Sequence, residues 1–423
     1  MIISNVSFID PIRETMEVCD VEISEGRIAS LASPGSLRDR SEDFIDGTGL
    51  YCAPGFFDIH SHFRDPGFTH KEDIESGARA AARGGYTSVV LMANTNPVVD
   101  NEETLAYVLN KGLSTGVHVM TCGSVTKGLK GCELTNMESL RKHGAVGFTD
   151  DGIPIMDEKL LREAMLKCAE LDVPISLHEE DKNLIAQNGI NDSVASRHYS
   201  LAGSPRTAEI SMVERDIKIA VETGARLNIQ HVSARETVEL VRKARKAGYT
   251  NIYAEATPHH FSLTEEAIVE FGSNGKMNPP LRTEEDRLAI IEGIKDGTIS
   301  MIATDHAPHT EEEKLLPLTK APSGITGLET AFSLGLEFLV REGHISLFRL
   351  LRLLSVEPRK LYGLECPALK VWDPADLVVF SLSEKWVYDK TFSKSFNTPF
   401  KGRTMTGKVK YTISGGRIIY EDL

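Results

Sequence analysis

In Asp58-Ile59-His60-Ser61-His62, two imidazoles stand two residues apart at the end of the apolar run Phe56-Phe57-Asp58-Ile59. Positions i and i+2 of a strand share a face. Two neutral imidazoles on one face can grip a divalent metal such as zinc. Taken alone, the pair reads equally well as two histidines satisfied by hydrogen bonds at the mouth of a barrel. Three more candidates also close apolar runs: His178 after Pro174-Ile175-Ser176-Leu177, His231 after Leu227-Asn228-Ile229-Gln230, and Asp305 after Met301-Ile302-Ala303-Thr304. Any one of them is more often structural than catalytic. Independent buried histidines have no reason to fall repeatedly at strand ends, whereas a metal centre at a barrel mouth requires it.

Four histidines and one aspartate can hold two ions only if an anion bridges them, because divalent cations about 3.5–4 Å apart repel strongly. The segment Gly147-Phe148-Thr149-Asp150-Asp151-Gly152 offers two carboxylates at what reads as another strand end. Without the other ligands the same segment would read as an Asp-Gly turn with solvated acids.

The elements that must position these groups are βα units. From about Tyr51 to Gly363, short β-branched runs alternate with helical patterns, as in a parallel sheet wrapped by helices. The clearest runs are 87–92, 118–121, 174–178, 227–231, 251–255 and 301–305, and several end in a polar or metal-binding residue. This predicts an α/β fold, a (β/α)8 TIM-type barrel, whose chemistry sits at the C-terminal ends of the strands. The flanks differ: 2–9, 21–23, 26–28, 375–380, 409–413 and 416–420 read as short strands with turns between. Neither end alone buries both faces of a sheet, so the two are expected to pair into one small discontinuous β-domain. The expected division is 1–53 and 366–423 for that domain and 54–365 for the barrel.

At 423 residues, 41% hydrophobic and 26% charged, the composition is that of a water-soluble globular protein, and no apolar run approaches a membrane span. The start, Met1-Ile2-Ile3-Ser4-Asn5, has neither the basic stretch nor the apolar run of a secretory signal. The six cysteines lack paired spacing, which favours reduced thiols and a cytoplasmic location. A formal charge of −14 disfavours nucleic acid and anionic membrane as partners. An anionic small-molecule substrate would need dedicated local cations.

Four motifs carry a resemblance to a known family: 58–67 (Asp58-Ile59-His60-Ser61-His62-Phe63-Arg64-Asp65-Pro66-Gly67), Asn94-Thr95-Asn96-Pro97, Lys276-Met277-Asn278-Pro279-Pro280-Leu281-Arg282, and Ala303-Thr304-Asp305-His306-Ala307-Pro308-His309. The chain resembles the dihydroorotases of the amidohydrolase superfamily, over essentially its whole length. The resemblance implies reversible cyclisation of N-carbamoyl-L-aspartate to L-dihydroorotate, a step of pyrimidine synthesis, on one or two zinc ions. By motif position, His60, His62 and Asp305 would hold one metal and His178 and His231 the other. Many members bridge the metals with a carboxylated lysine, but no lysine lies between Lys142 and Lys159 here. The chain instead resembles the bacterial subgroup with an aspartate bridge, which points to Asp151, with Asp150 as the alternative.

Asp305 would accept a proton from the attacking water and deliver it to the departing ring nitrogen. Arg64 fits the substrate carboxylate by reach and by its bidentate fork; the competing reading is a salt bridge to Asp65 or Glu72. The resemblance adds Asn94 and His309 for that carboxylate and Asn278 for the imide edge of the ring. Pro322-Ser323-Gly324-Ile325-Thr326-Gly327 has no P-loop lysine, which argues against phosphate binding, and the resemblance places Ser323 and Gly324 in a loop over the substrate. It also implies association with aspartate transcarbamoylase in some relatives, and a homodimer. The rival readings are a hydantoinase or allantoinase, whose neutral ring has no carboxylate for Arg64, and a metal-free scaffold relative.

Overall fold

Strands and helices alternate as expected in the structure, a computed structural model that describes residues 1–38, 43–366 and 369–422. Residues 39–42, 367–368 and 423, which fall in the two segments assigned above to the β-domain, lie outside the described residues. The N-terminal segment forms β1 (Ile2–Asp10), β2 (Thr15–Ser24), β3 (Arg27–Ala32), β4 (Phe44–Asp46) and β5 (Tyr51–Pro54). Next come β6 (Phe56–Ser61), β7 (Tyr86–Leu91), β8 (His118–Thr121), β9 (Ile175–Leu177), β10 (Leu227–Ile229), β11 (Ile252–Ala256) and β12 (Met301–Ile302). The C-terminal segment adds β13 (Leu377–Val387), β14 (Thr404–Ser414) and β15 (Arg417–Glu421).

Strands β6-β7-β8 and β9-β10-β11-β12 form two parallel sheets. The segment around Phe148 joins them: it bridges Gly123 just past β8 and Ile175 of β9, both in parallel. On the other side His306, just past β12, bridges Ser61 of β6. The seven strands β6–β12 and the Phe148 segment thus close a ring of eight parallel members, the expected barrel. Among the helices outside it are Ile74–Arg83, Glu102–Gly112, Glu158–Glu170, Arg206–Thr223, Arg235–Lys246 and Glu284–Asp296. Side-chain caps fix where they begin: the Ser76 amide donates to Asp73 at 2.8 Å and the Thr104 amide to Asn101 at 3.0 Å. The helix Arg235–Lys246 buries Thr237, Val238, Val241 and Ala244, a single stripe at three- and four-residue spacing that leaves its charges to solvent.

The two chain ends meet at β5, which runs parallel to β1 and antiparallel to β13. The resulting sheet has the order β15-β14-β13-β5-β1-β2-β3, with β4 beside β1. Its own core takes Ile3, Val6, Phe8, Val21 and Ile28 from one end of the chain and Leu377, Val379 and Ile413 from the other. Each end covers apolar surface that the other would expose.

Candidate active site

Strand β6 does not run straight into the site. Asp58 pairs with Val89 and Ser61 with Leu91, so three steps of β6 face two of β7, and the extra residue makes a bulge at Ile59 and His60. Bulges re-aim side chains beside functional sites. Asp58 pins the bulged strand to the far side of the ring: its carboxylate accepts from the Thr304 amide at 2.8 Å, from the Thr304 hydroxyl at 2.6 Å and from Ser61. Burial pushes its pKa up to about 6, and those donors work against the rise.

The six metal-binding candidates converge. His62 Nε2 lies 3.0 Å from Asp305 Oδ1, and His60 Nε2 is 3.4 Å from both that oxygen and Asp151 Oδ1. On the other flank His178 Nδ1 and His231 Nε2 face each other at 3.0 Å, with Asp151 Oδ1 4.0 Å and 3.7 Å away. Asp151 therefore spans the cluster, its Oδ2 3.4 Å from His62 and its Oδ1 toward the other histidines. Three overlapping triads could each hold an ion: His60, His62 and Asp151; His60, His231 and Asp305; and Asp151, His178 and His231. Asp150 is turned away, its carboxylate taken up by the amides of Val125 and Thr126 at 2.7 and 3.0 Å and by the Thr126 hydroxyl.

The donor set fits a divalent metal. His60 Nε2 is buried with no hydrogen-bond partner among the described residues, although two carboxylates lie just beyond reach. Burial opposes charging of His60, but Asp305, Glu255 and Asp151 outweigh it and hold its pKa well above the ordinary histidine value. Asp151 is held well below the ordinary carboxylate range because His60, His231 and His62 outweigh its burial. Two buried carboxylates and four imidazoles at these spacings call for positive charge between them. Burial, helped by Arg64, lowers the pKa of His62 and favours the neutral, ligating form.

Several positioning partners were not foreseen from the sequence. Glu255, the last residue but one of β11, accepts from His60 Nδ1 at 2.6 Å, and Glu180 accepts from His178 Nε2 at 3.0 Å. Each fixes a tautomer with the other ring nitrogen facing the cluster, as carboxylates behind metal-binding histidines do. Glu255 closes an apolar run just as His231 does, and that position was its signal. Replacing Glu255 by Gln is expected to weaken metal binding about 10- to 100-fold, measured by competition with a chromophoric chelator.

Around the cluster lies a cavity of about 410 Å³. His62, Arg64, Asn94, Asp151, Asn278, Asp305, His309 and Ser323 line it; Gly324 does not, and its carbonyl is held by Asn397 and Lys314. Arg64 pairs with neither Asp65, which takes Tyr107 and Lys111, nor Glu72, which takes Ser76, Ser393 and the Lys394 amide. Among the described residues its guanidinium donates to the Pro308 carbonyl at 3.2 Å and lies 3.4 Å from His309 Nε2. Among the described residues it has no carboxylate within ion-pair distance. Burial and Arg64 depress the pKa of His309, so its ring stays neutral. Asn94 accepts from His62 Nδ1 at 3.0 Å and donates to Asp151 at 3.1 Å, tying the two metal-binding groups together. Asn278 lies 3.3 Å from His178 Nε2, and its carbonyl oxygen is buried with no protein donor among the described residues.

Backbone strain collects here. Arg64, His231 and Asp305 have φ of 59°, 33° and 44°, a region that costs a non-glycine residue about 1–3 kcal/mol and is typical of functional sites. Gly67 (φ 96°) lets the 58–67 motif touch the Asn94–Pro97 motif: a Cβ there would stand 2.0 Å from the Asn96 carbonyl oxygen. Replacing Gly67 by Ala is expected to cost about 3 kcal/mol or more, seen as a lowered denaturant midpoint, because the obstacle is backbone.

The pattern of the amidohydrolase family matches residues 51–419. The dihydroorotase of Clostridioides difficile (strain 630) is 49% identical over 420 residues, covering 99% of both chains. That of Streptococcus pneumoniae serotype 4 is 46% identical over 423 residues and all of both chains. Among solved structures, L-hydantoinase (dihydropyrimidinase) from Arthrobacter aurescens superposes with a TM-score of 0.87 at 24% identity, over 99% of this chain and 96% of the other. D-hydantoinase from Thermus sp. gives 0.84 at 23%, over 100% and 95%. At such identities the superpositions speak to the fold alone. The full-length identities go further: the chain belongs to the amidohydrolase family and, within it, to the dihydroorotases.

Proposed function

We propose that the chain interconverts N-carbamoyl-L-aspartate and L-dihydroorotate, closing and opening the dihydropyrimidine ring for pyrimidine synthesis. The observation that carries this reading is Arg64: a half-buried guanidinium with no carboxylate within ion-pair distance among the described residues, on the wall of a cavity floored by metal-binding groups. On a chain of charge −14, such a cation is kept for an anion that arrives with the substrate. Hydantoin has no carboxylate to supply it.

In this reading His60, His62 and Asp305 would hold one ion and His178 and His231 another, with Asp151 lying between the two sets. The imidazole-rich set favours zinc over magnesium or calcium. A bound ion there would lower the pKa of water and polarise the ring carbonyl. Asp305, ionised and facing the cluster, takes the proton from water during ring opening and returns it to the leaving ring nitrogen; ring closure reverses both transfers. Arg64, with His309 beside it, holds the carboxylate and so fixes which face of the amide carbon is presented. Asn278 offers its free carbonyl oxygen to the imide N–H.

Location in the cytoplasm is supported by six free thiols and by the absence of any described helix long and apolar enough to cross a membrane. Dependence of activity on association with aspartate transcarbamoylase carries over from the resemblance as part of the proposal, and full activity of the purified chain alone would remove it. The decisive assay offers the purified, metal-analysed chain dihydroorotate and hydantoin side by side. Turnover of dihydroorotate is expected; turnover of hydantoin alone would refute the assignment.

A further inference from the structure

One wall of the cavity is formed by the loop 318–324, of which Thr319, Ala321, Pro322 and Ser323 line the space. Carbonyl oxygens of a loop beside the cavity, left without donors, would repel a carboxylate held nearby. Here they are engaged by side chains. Lys276 donates to the carbonyls of Leu318 at 2.9 Å and Ala321 at 2.8 Å. Lys314 donates to those of Pro322 and Gly324, both at 3.0 Å. His309 Nε2 lies 2.9 Å from the Ser323 carbonyl.

Both lysines are almost wholly buried, at 3% and 6% exposure. Among the described residues neither has a carboxylate within ion-pair distance: Glu313, next to Lys314, pairs with Lys71 at 2.6 Å. Burial lowers the pKa of Lys276 to about 8, and burial together with the charge of Lys276 lowers that of Lys314 to about 7. Burying two ammonium groups side by side is costly, and a protein that needed only packing would put apolar side chains there. What the two cations gain in return is the loop.

We propose that Lys276 and Lys314 are positioning residues for the substrate: Lys276 from the cavity wall and Lys314 from outside it cap the carbonyl oxygens of the 318–324 loop and set the wall against which the anionic substrate is held. The idea rests on the dihydroorotase reading for the identity of that substrate, and on geometry alone for the clamp. Lys276, still mostly protonated at neutral pH and itself on the cavity wall, adds its charge to that of Arg64, which suits N-carbamoylaspartate, with its two carboxylates, more than the product, with one.

Two measurements test it on the full-length, metal-loaded chain. Amide hydrogen exchange of the 318–324 segment, read without substrate, is expected to accelerate about tenfold or more in Lys276→Met and Lys314→Met, since each loses two charge-assisted bonds, while the barrel strands stay protected. Lys314→Gln, which keeps an N–H donor without the charge, is expected to restore most of the protection. In steady state the Met variants are expected to raise KM for N-carbamoylaspartate about tenfold with kcat changed less than about threefold and metal content unchanged. Exchange unchanged in both Met variants would overturn the clamp, as would accelerated exchange with KM unaltered. Absence of dihydroorotate turnover by the unaltered chain would overturn the functional reading and not the clamp, which the exchange experiment judges by itself.

Discussion

Asp305→Asn is expected to lower kcat about 10²- to 10⁴-fold, equally for ring opening and ring closure, because one group moves the proton in both directions. The substitution keeps the shape of the side chain and its place beside His62, 3.0 Å away, but an amide cannot accept the proton. Burial alone would favour the protonated acid; His60, His62 and His231 outweigh it and keep Asp305 ionised. Asp305 also belongs to one of the three triads, so elemental analysis must accompany the kinetics. Loss of turnover with metal retained is the expected pairing. A variant that retains metal and turns over within about tenfold of the parent would remove Asp305 from the proton transfer.

The legible part of this site consists of residues that end apolar runs. His178, His231 and Asp305 each follow such a run, and the barrel carries every one of them to the same rim. The fold followed from the same periodicity, as did the pairing of the two chain ends, since neither could bury a sheet alone. The choice between Asp150 and Asp151 was not legible from the residues themselves, and only the resemblance pointed to Asp151. The two are adjacent and chemically identical, and only the closing of the ring through Phe148, a strand too short to read, turns one toward the histidines and the other toward Val125 and Thr126. Glu255, Glu180, Lys276 and Lys314 were missed for a related reason. They act through another group, across 195 residues of sequence in the case of Glu255 and His60; Glu255 does end an apolar run, but no local pattern says which group it will reach. Arg64 lay between these cases, because the sequence around it offered Asp65 and Glu72 as partners. Only the structure shows that both acids are occupied elsewhere.

That Arg64 is free of them matters because the fold does not choose the ring. Hydantoinases share this architecture at TM-scores of 0.81 to 0.87, so the discrimination must come from side chains at the cavity wall. A site built around a charge rejects the analogue lacking the countercharge, because binding then covers the cation and leaves it uncompensated.

Arg64→Met is therefore expected to raise KM for dihydroorotate roughly 10²- to 10³-fold, the loss of a bidentate, charge-assisted contact. Ground state and transition state use the carboxylate contact alike, so kcat should change much less. Dihydrouracil is the informative control, being the same ring without the carboxylate. Its kcat/KM should hold or rise, since removing a half-buried charge that has no carboxylate partner favours a neutral ligand, and the preference for dihydroorotate over dihydrouracil should shrink by the same roughly 10²- to 10³-fold. Thermal stability should be unchanged or higher, because Arg64 has no ion pair to lose. Equal losses on both rings would mean that Arg64 shapes the site instead of reading the substrate, and the case against a neutral cyclic amide would lose its support.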